Sequence, residues 1–419
     1  MQMTEDNVFI ARQPILDKSG SIYGYELLFR TTAVKNFAEI VDDVSATSEV
    51  LISTLNTFGV RKLLGSSFGF ININEAILDK GILNPLKGEK FVFEILESTI
   101  MSPEFITQVS EMRDKGYIFA LDDFVFKDQF IEYFRPVFDL ISIVKVDILK
   151  NDPFILKRKL DTFSKYKIKL LAEKVEDMEQ FEYCKQMGFE LFQGYFFSKP
   201  VILSGRRIDP DKLAILELIK LLQKNPDIPE VESVFKKYPD MTINLLKFIN
   251  SAAFGTRSKI TSVRHAIALL GLNNLMHWLI LLSYASSGGD RNKNPLFKIA
   301  GQRAKAMELF LKNSLGQTNR DILDAGFLVG LLSLIDALFQ ISLDEILKEL
   351  NLNEEITLAL TQRSGTLGKL LTLIEETEKT AVNLQKITDL LDGLNIHMSD
   401  LTKTYLESVA WIEEMPLSD

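Results

Sequence analysis

The stretches Tyr117-Ile118-Phe119-Ala120-Leu121-Asp122-Asp123 and Leu140-Ile141-Ser142-Ile143-Val144-Lys145-Val146-Asp147 each run an apolar, β-type segment into charged side chains. The same grammar repeats from Tyr25 to Gln193. Apolar runs end in Glu26, Asn72, Glu94, the Asp122-Asp123 pair, Lys145 with Asp147, Glu173 and Gln193. The runs read as strands over Val8–Ala11, Ile22–Phe29, Phe68–Ile73, Phe91–Leu96, Tyr117–Leu121, Leu140–Val146, Lys169–Ala172 and Leu191–Phe192. Longer amphipathic stretches alternate with most of them, which is the signature of repeated strand-helix units. Eight runs within about 200 residues suit a closed (β/α)8 barrel. Between the first two runs stand only Asp17-Lys18-Ser19-Gly20, too short for a helical crossover, so an antiparallel hairpin is expected there. The fold class expected is therefore α/β, a modified TIM-like barrel.

After Ser204-Gly205 and the Asp209-Pro210 break the alternation of strands ends. Leu213, Leu216, Ile219 and Leu222 recur at helical spacing. An all-α helical domain is expected to follow, with a barrel over 1–203, a linker over 204–210 and the helical domain over 211–419. The polar Ser286-Ser287-Gly288-Gly289 stretch reads as an exposed loop.

Composition narrows the function. A chain of 419 residues exceeds a single core. A formal charge of −9 argues against nucleic-acid binding, which needs clustered Lys and Arg. Met1 to Asn7 carries Glu5 and Asp6 and has neither the basic nor the apolar segment of a signal peptide. The most apolar windows, Leu275 to Ala285 and Ala325 to Ile335, are shorter than the roughly 20 residues of a membrane span. Buried helices and a cytoplasmic location are expected. The single cysteine, Cys184, rules out an intrachain disulfide and reads as a small packed residue.

In a parallel barrel, side chains at strand ends meet at one mouth although they lie far apart in sequence. Most of those named above are oxygen donors suited to hard divalent cations. Two adjacent aspartates could serve two ions, the arrangement that clamps the attacking and leaving oxygens of a phosphodiester. Taken singly, an acidic residue at a strand end is more often a solvated or capping group.

Tyr25-Glu26-Leu27-Leu28-Phe29-Arg30, Phe93-Glu94-Ile95-Leu96-Glu97, Leu121-Asp122-Asp123-Phe124, Lys145-Val146-Asp147, Ala172-Glu173-Lys174-Val175-Glu176 and Gln193-Gly194-Tyr195 together resemble the ordered motifs of EAL domains. That family hydrolyses cyclic di-GMP to linear pGpG with Mg²⁺ or Mn²⁺. The resemblance implies one or two ions, with Glu26, Asn72, Glu94 and Asp122 at the first and Asp123 at the second. It implies Glu173 as the base for the nucleophilic water and Lys145 as the group that positions it. Gln13, Arg30, Asp147 and Gln193 would face the substrate, and Glu97 and Glu176 would stand behind the ligands. Two departures are visible. Val125-Phe126-Lys127-Asp128 lacks the glycines that follow Asp-Asp-Phe in active relatives, which bears on the second metal. Thr31-Thr32-Ala33 replaces the Trp and Pro expected after Arg30, which bears on substrate grip.

Residues from about 210 to 400, around Asn250-Ser251-Ala252-Ala253-Phe254-Gly255 and Ser262-Val263-Arg264-His265-Ala266-Ile267, resemble an HDOD domain, a helical relative of metal-dependent HD phosphohydrolases. None of His265, His277 and His397 is followed by Asp, and Leu332-Ser333-Leu334-Ile335-Asp336 stands where relatives place the His-Asp pair. The HD metal site is absent. His265 and His277 read as packed or surface histidines, Trp278 as core, and Lys298, Arg303 and Lys305 as a solvated helix face. The implied whole is a bacterial signalling protein: a cyclic di-GMP phosphodiesterase with a non-catalytic output or regulatory domain that recruits protein partners, and a homodimer. The alternative is a weak or inactive barrel that serves as a cyclic di-GMP receptor or scaffold.

Overall fold

A computed structural model describes residues 8–31, 60–73, 78, 90–151, 156, 158–163, 165–194, 196–198, 210–250, 260–285, 294–339, 342–350, 352–379 and 383–415. The chain divides into two compact units, Met1–Phe197 and Ser198–Asp419.

In the first unit eight strands close into a barrel in sequence order: β1 (Val8–Asp17), β2 (Ile22–Thr31), β3 (Phe68–Ile73), β4 (Phe91–Ile95), β5 (Ile118–Leu121), β6 (Ile143–Asp147), β7 (Lys169–Glu173) and β8 (Leu191–Gln193). β1 is antiparallel to both β2 and β8, and every other pair is parallel. The hairpin falls where four residues left no room for a crossover. Asp17 Oδ1 accepts the amides of Ser19 at 2.8 Å and Ser21 at 3.1 Å, and Gly20 takes φ +79°. β1 runs on past Ala11 to Asp17 because pairing with β2 carries it through Arg12-Gln13-Pro14, where apolar character lapses. The side chain of Arg12 faces away from the lumen, its guanidinium 4.1 Å from the Tyr25 ring centroid and donating to Leu63 O at 2.6 Å.

Strand periodicity then sorts the lumen into two levels. Side chains two apart share a face. Ile15, Phe70, Val92, Ala120, Ile143, Leu171 and Leu191 form a buried apolar layer. Two residues from each lie Gln13, Asn72, Glu94, Asp122, Lys145, Glu173 and Gln193. Gly24 stands likewise two residues before Glu26, and a Cβ there would come within 2.8 Å of the Phe70 ring, so its small size lets Phe70 fill the barrel. The apolar layer closes the lumen beneath the polar one.

The second unit is all helical. Pro295–Leu309 packs against Arg320–Leu332 and Met398–Glu414, and Pro210–Leu222 against Leu272–Ala285. A Cβ on Gly330 would lie 2.5 Å from Ala304 N, so the first pair approaches through a glycine. Both apolar windows are core, and Tyr284 Oη joins them by donating to Leu331 O at 2.8 Å. Among the described residues no single helix is long and apolar enough to cross a membrane; Val263–Leu270 and Leu272–Tyr284 together reach that length but bend by 107° at Gly271.

The expected solvated face is corrected by the packing. Lys298 and Arg303 are buried, Lys298 pairing with Glu413 at 2.8 Å and Arg303 with Glu378 at 2.5 Å. Positive side chains on an internal helix are held there by carboxylates from distant helices. His265 is exposed, His277 buried, and Cys184 packs on Met178–Gln186 with its thiol pushed up to about 11 by burial. Asn250 closes Pro239–Ile249 and bridges to Ile260, donating to Leu246 O and Ile260 O and accepting from Ile260 N, each at 2.7 Å. Ser251, Gly255 and the Ser286–Gly289 stretch lie outside the described residues.

Phe70→Ala should lower barrel stability by about 3–5 kcal/mol, because a large cavity would open at the centre of the apolar layer. Urea unfolding followed by circular dichroism would show the loss as an earlier midpoint for the barrel, and an unchanged midpoint would contradict the space-filling role.

Candidate active site

The polar layer closes on Lys145. Its Nζ, buried, stands 2.8 Å from Glu94 Oε1, 2.8 Å from Asp122 Oδ1, 3.1 Å from Glu173 Oε1 and 3.3 Å from Glu26 Oε2. An ammonium has three N–H donors and one charge. Four carboxylates around it leave a formal surplus of three negative charges when all are ionised, four against one. Gln193 Nε2 continues the cluster, donating to Glu26 Oε2 at 2.6 Å and Gln13 Oε1 at 2.8 Å. Asn72, in register with Glu94, places its Oδ1 in the same layer.

Not every oxygen of the cluster has a donor. Asn72 Oδ1, Glu94 Oε2 and Glu173 Oε2 are buried without a hydrogen-bond partner, whereas Glu94 Oε1 and Asp122 Oδ1 meet the shared Lys145 ammonium. Burial raises the Glu94 carboxyl well above the usual carboxylate range, Lys145 opposes that, and Glu26 and Asp122 add to it. Glu173 is pushed up to about 8, first by burial, against Lys145, with Asp122 and Glu26 reinforcing. Burial disfavours the charge on Lys145, but Asp122, Glu173, Glu26 and Glu94 outweigh it and hold the ammonium charged. Donor type and surplus charge fit a hard divalent cation. Among the described residues no three acidic, His or Cys groups already form a cation cage, since the carboxylates close on the ammonium instead.

Three turns set the rest of the mouth. Asp123 takes φ +49° and Lys174 φ +60°, each immediately after a residue of the cluster. Gly194, φ +149°, allows Gln193 to end its strand where any Cβ would meet the Val175 backbone. Asp123 is turned away from Lys145, its Oδ2 held by Lys150 Nζ at 2.8 Å. Asp147 accepts the amides of Leu149 at 2.8 Å and Lys150 at 3.2 Å from its own loop and pairs with Lys174 from the turn after β7. Glu97 is exposed and its carboxyl is raised by partial burial, then by Asp123 and Asp122. Glu176 is exposed on the turn before Met178–Gln186. Arg30, on β2, pairs with Phe9 of β1, and its side chain lies outside the described residues.

The glycine-free segment after Asp123 folds without positive φ at any of residues 124–128. Phe124 and Phe126 are buried edge-to-face at 5.3 Å, and both meet Phe163. Asn151 secures the backbone, accepting from Phe126 N at 3.0 Å and donating to Asp147 O at 2.8 Å. Lys150, Asn151 and Lys174 were not among the expected site residues. They lie past strand ends, where periodicity gives no signal.

Family models for the EAL domain and the HDOD domain match residues 1–200 and 212–363. The protein YuxH of Bacillus subtilis, itself uncharacterised, is 31% identical over 412 residues, spanning 97% of this chain and 98% of its own. The chain belongs to the EAL–HDOD family. Vibrio cholerae CdgJ, named a cyclic di-GMP phosphodiesterase, is 30% identical over 413 residues, spanning 97% of this EAL–HDOD chain and 93% of its own. A solved EAL domain protein from Listeria monocytogenes is 24% identical, covers 48% of this chain and 95% of that one, and has a TM-score of 0.37. In the HDOD part, Arg303 Nη1 donates to Ser333 Oγ at 3.0 Å.

The raised carboxyls predict a pH effect with a definite sign. Glu173 holds a proton in the folded chain up to about 8, whereas unfolded Glu loses it near about 4.3. Its contribution is present at low pH and lost as pH rises between those values. In EDTA the melting temperature should fall across that window. Mn²⁺ should restore it, by more at higher pH, and a Mn²⁺ increment independent of pH would contradict the charge-surplus account.

Proposed function

We propose that the barrel is a divalent-metal-dependent phosphodiesterase that opens cyclic di-GMP to linear pGpG, and that the helical unit is a non-catalytic output or regulatory module. The observation that carries this reading is the convergence of Glu26, Glu94, Asp122 and Glu173 on one buried lysine with unpaired oxygens to spare. The near full-length likeness to a relative named for that activity supports it. We assign Glu26, Asn72, Glu94 and Asp122 to one ion, Mg²⁺ or Mn²⁺, and Asp123 to a second. Such an ion would lower the pKa of water and offset charge on the phosphodiester. Glu173 takes the proton of the attacking water, as a carboxyl titrating close to working pH does better than an ordinary one. Lys145 keeps the carboxylates from repelling one another and aims a donor at the water. Gln13 and Gln193 hydrogen-bond the substrate, Arg30 and Asp147 complete its contacts, and Glu97 and Glu176 steady the ligands from behind. We place the domain limits at 1–203 and 211–419, with 204–210 as linker, and the protein in the cytoplasm, as a homodimer whose helical unit engages protein partners.

A second reading, a receptor with little or no turnover, is favoured by Lys150, which already neutralises Asp123. With Mn²⁺ and cyclic di-GMP, chromatography should show pGpG forming, and Glu173→Gln should cut the rate by at least about 100-fold. Equal rates in that variant would overturn the assignment of the base. Lys150→Ala should raise turnover by freeing Asp123. No pGpG from either the parent or this variant, with nucleotide bound, would establish the receptor.

A further inference from the structure

The helical unit contains a cavity of about 380 Å³ that the barrel chemistry does not use, walled in part by Trp278, Phe327, Trp411, His277, Glu308 and Asp324. It lies within the size range of small-molecule pockets. One wall is continuously aromatic: the His277 ring stacks on Phe327 at 4.8 Å, and Phe327 meets Trp411 edge-to-face at 5.9 Å. His277 is only 8% exposed, and no described residue hydrogen-bonds its ring. Burial lowers its pKa to about 4 against the pull of Asp324 and Glu308, so it faces the cavity as a neutral acceptor. Asp324 accepts one neutral hydrogen bond, from Asn273 at 3.3 Å, and meets no cation among the described residues. Beside it, Lys305 Nζ rests 2.8 Å from Glu308 and 5.7 Å from the Trp411 ring centroid, an internal case of an ammonium on this combination of carboxylate and indole.

These features separate ligand classes. Phosphates would meet carboxylates and a neutral imidazole. A bare metal ion would find no group of three metal-type donors among the described residues. A purely apolar ligand would leave the imidazole without a partner and the Asp324 charge without a counter-charge. We infer that the cavity binds an organic cation, a guanidinium or primary ammonium on a short aliphatic stem. Its N–H groups reach Asp324 and His277, and its stem and charge lie on the faces of Trp278, Phe327 and Trp411. The cation is either a free amine or the side chain of a partner's Arg or Lys.

The chain has two tryptophans and both line this cavity, so indole emission reads the site alone. Full-length protein should show a saturable emission change with n-butylguanidinium, matched by calorimetry, and bind the neutral isostere n-butylurea at least about tenfold more weakly. Asp324→Asn, which removes a partly exposed charge that pairs with no cation among the described residues, should weaken n-butylguanidinium by about tenfold while leaving the melting temperature unchanged. Phe327→Leu should do likewise by removing an aromatic face. Tighter binding of a blocked arginine peptide than of n-butylguanidinium assigns the site to a partner's side chain, and the reverse assigns it to a free amine. No saturable change, equal binding of n-butylurea, or full affinity in Asp324→Asn overturns the inference. The barrel's activity does not enter any of these outcomes.

Discussion

One buried ammonium set against four carboxylates is the constraint on which the barrel unit turns. Lys145 lies at the level where the strands deliver a polar side chain into the lumen, with Glu26, Glu94, Asp122 and Glu173 all within 3.3 Å of its Nζ. A lone lysine there would be strongly disfavoured by burial, and so would the carboxylates without it. The balance still leaves excess negative charge and unpaired oxygens, and burial accordingly holds the Glu94 and Glu173 carboxyls above the usual carboxylate range. The same excess that costs stability makes the pocket demand cations. Function and strain thus share one origin.

The layer beneath makes this geometry obligatory. Strand periodicity puts each mouth residue two positions from an apolar one, and Phe70, Val92, Ala120, Ile143, Leu171 and Leu191 seal the lumen. Shifting any strand by one residue would drive a polar side chain into the wall and an apolar side chain into the mouth. Register and site chemistry are therefore specified by the same pattern. The turns at Asp123, Lys174 and Gly194 direct the chain away once the mouth residues are in place.

Period-two alternation made the strands and their terminal polar groups legible in the amino-acid sequence, and the short Asp17–Gly20 connection made the hairpin so. β1 extends beyond the apolar run that marks it in the sequence, because Arg12 and Gln13 interrupt that run while one faces away from the lumen and the other into it. Lys150 and Lys174 are not legible in the sequence, because pairing with Asp123 and Asp147 depends on loop geometry that has no period. The missing glycines after Asp123 looked disruptive, yet the loop needs no positive φ and is held by phenylalanine packing and Asn151 instead. In the helical unit a charged face proved internal, since the Glu378 and Glu413 partners are 75 and 115 residues away from Arg303 and Lys298.

The central claim, that the polar layer is a protonated and charge-frustrated cation site, is tested most directly by calorimetric titration of metal-free protein with Mn²⁺ at neutral pH in buffers of different ionisation enthalpy. Ions that displace the proton from Glu173, whose carboxyl is pushed up to about 8, must release it to the buffer, so the observed heat should vary with buffer and give a net proton release on binding. Binding with no proton release, or no binding at all, would contradict it.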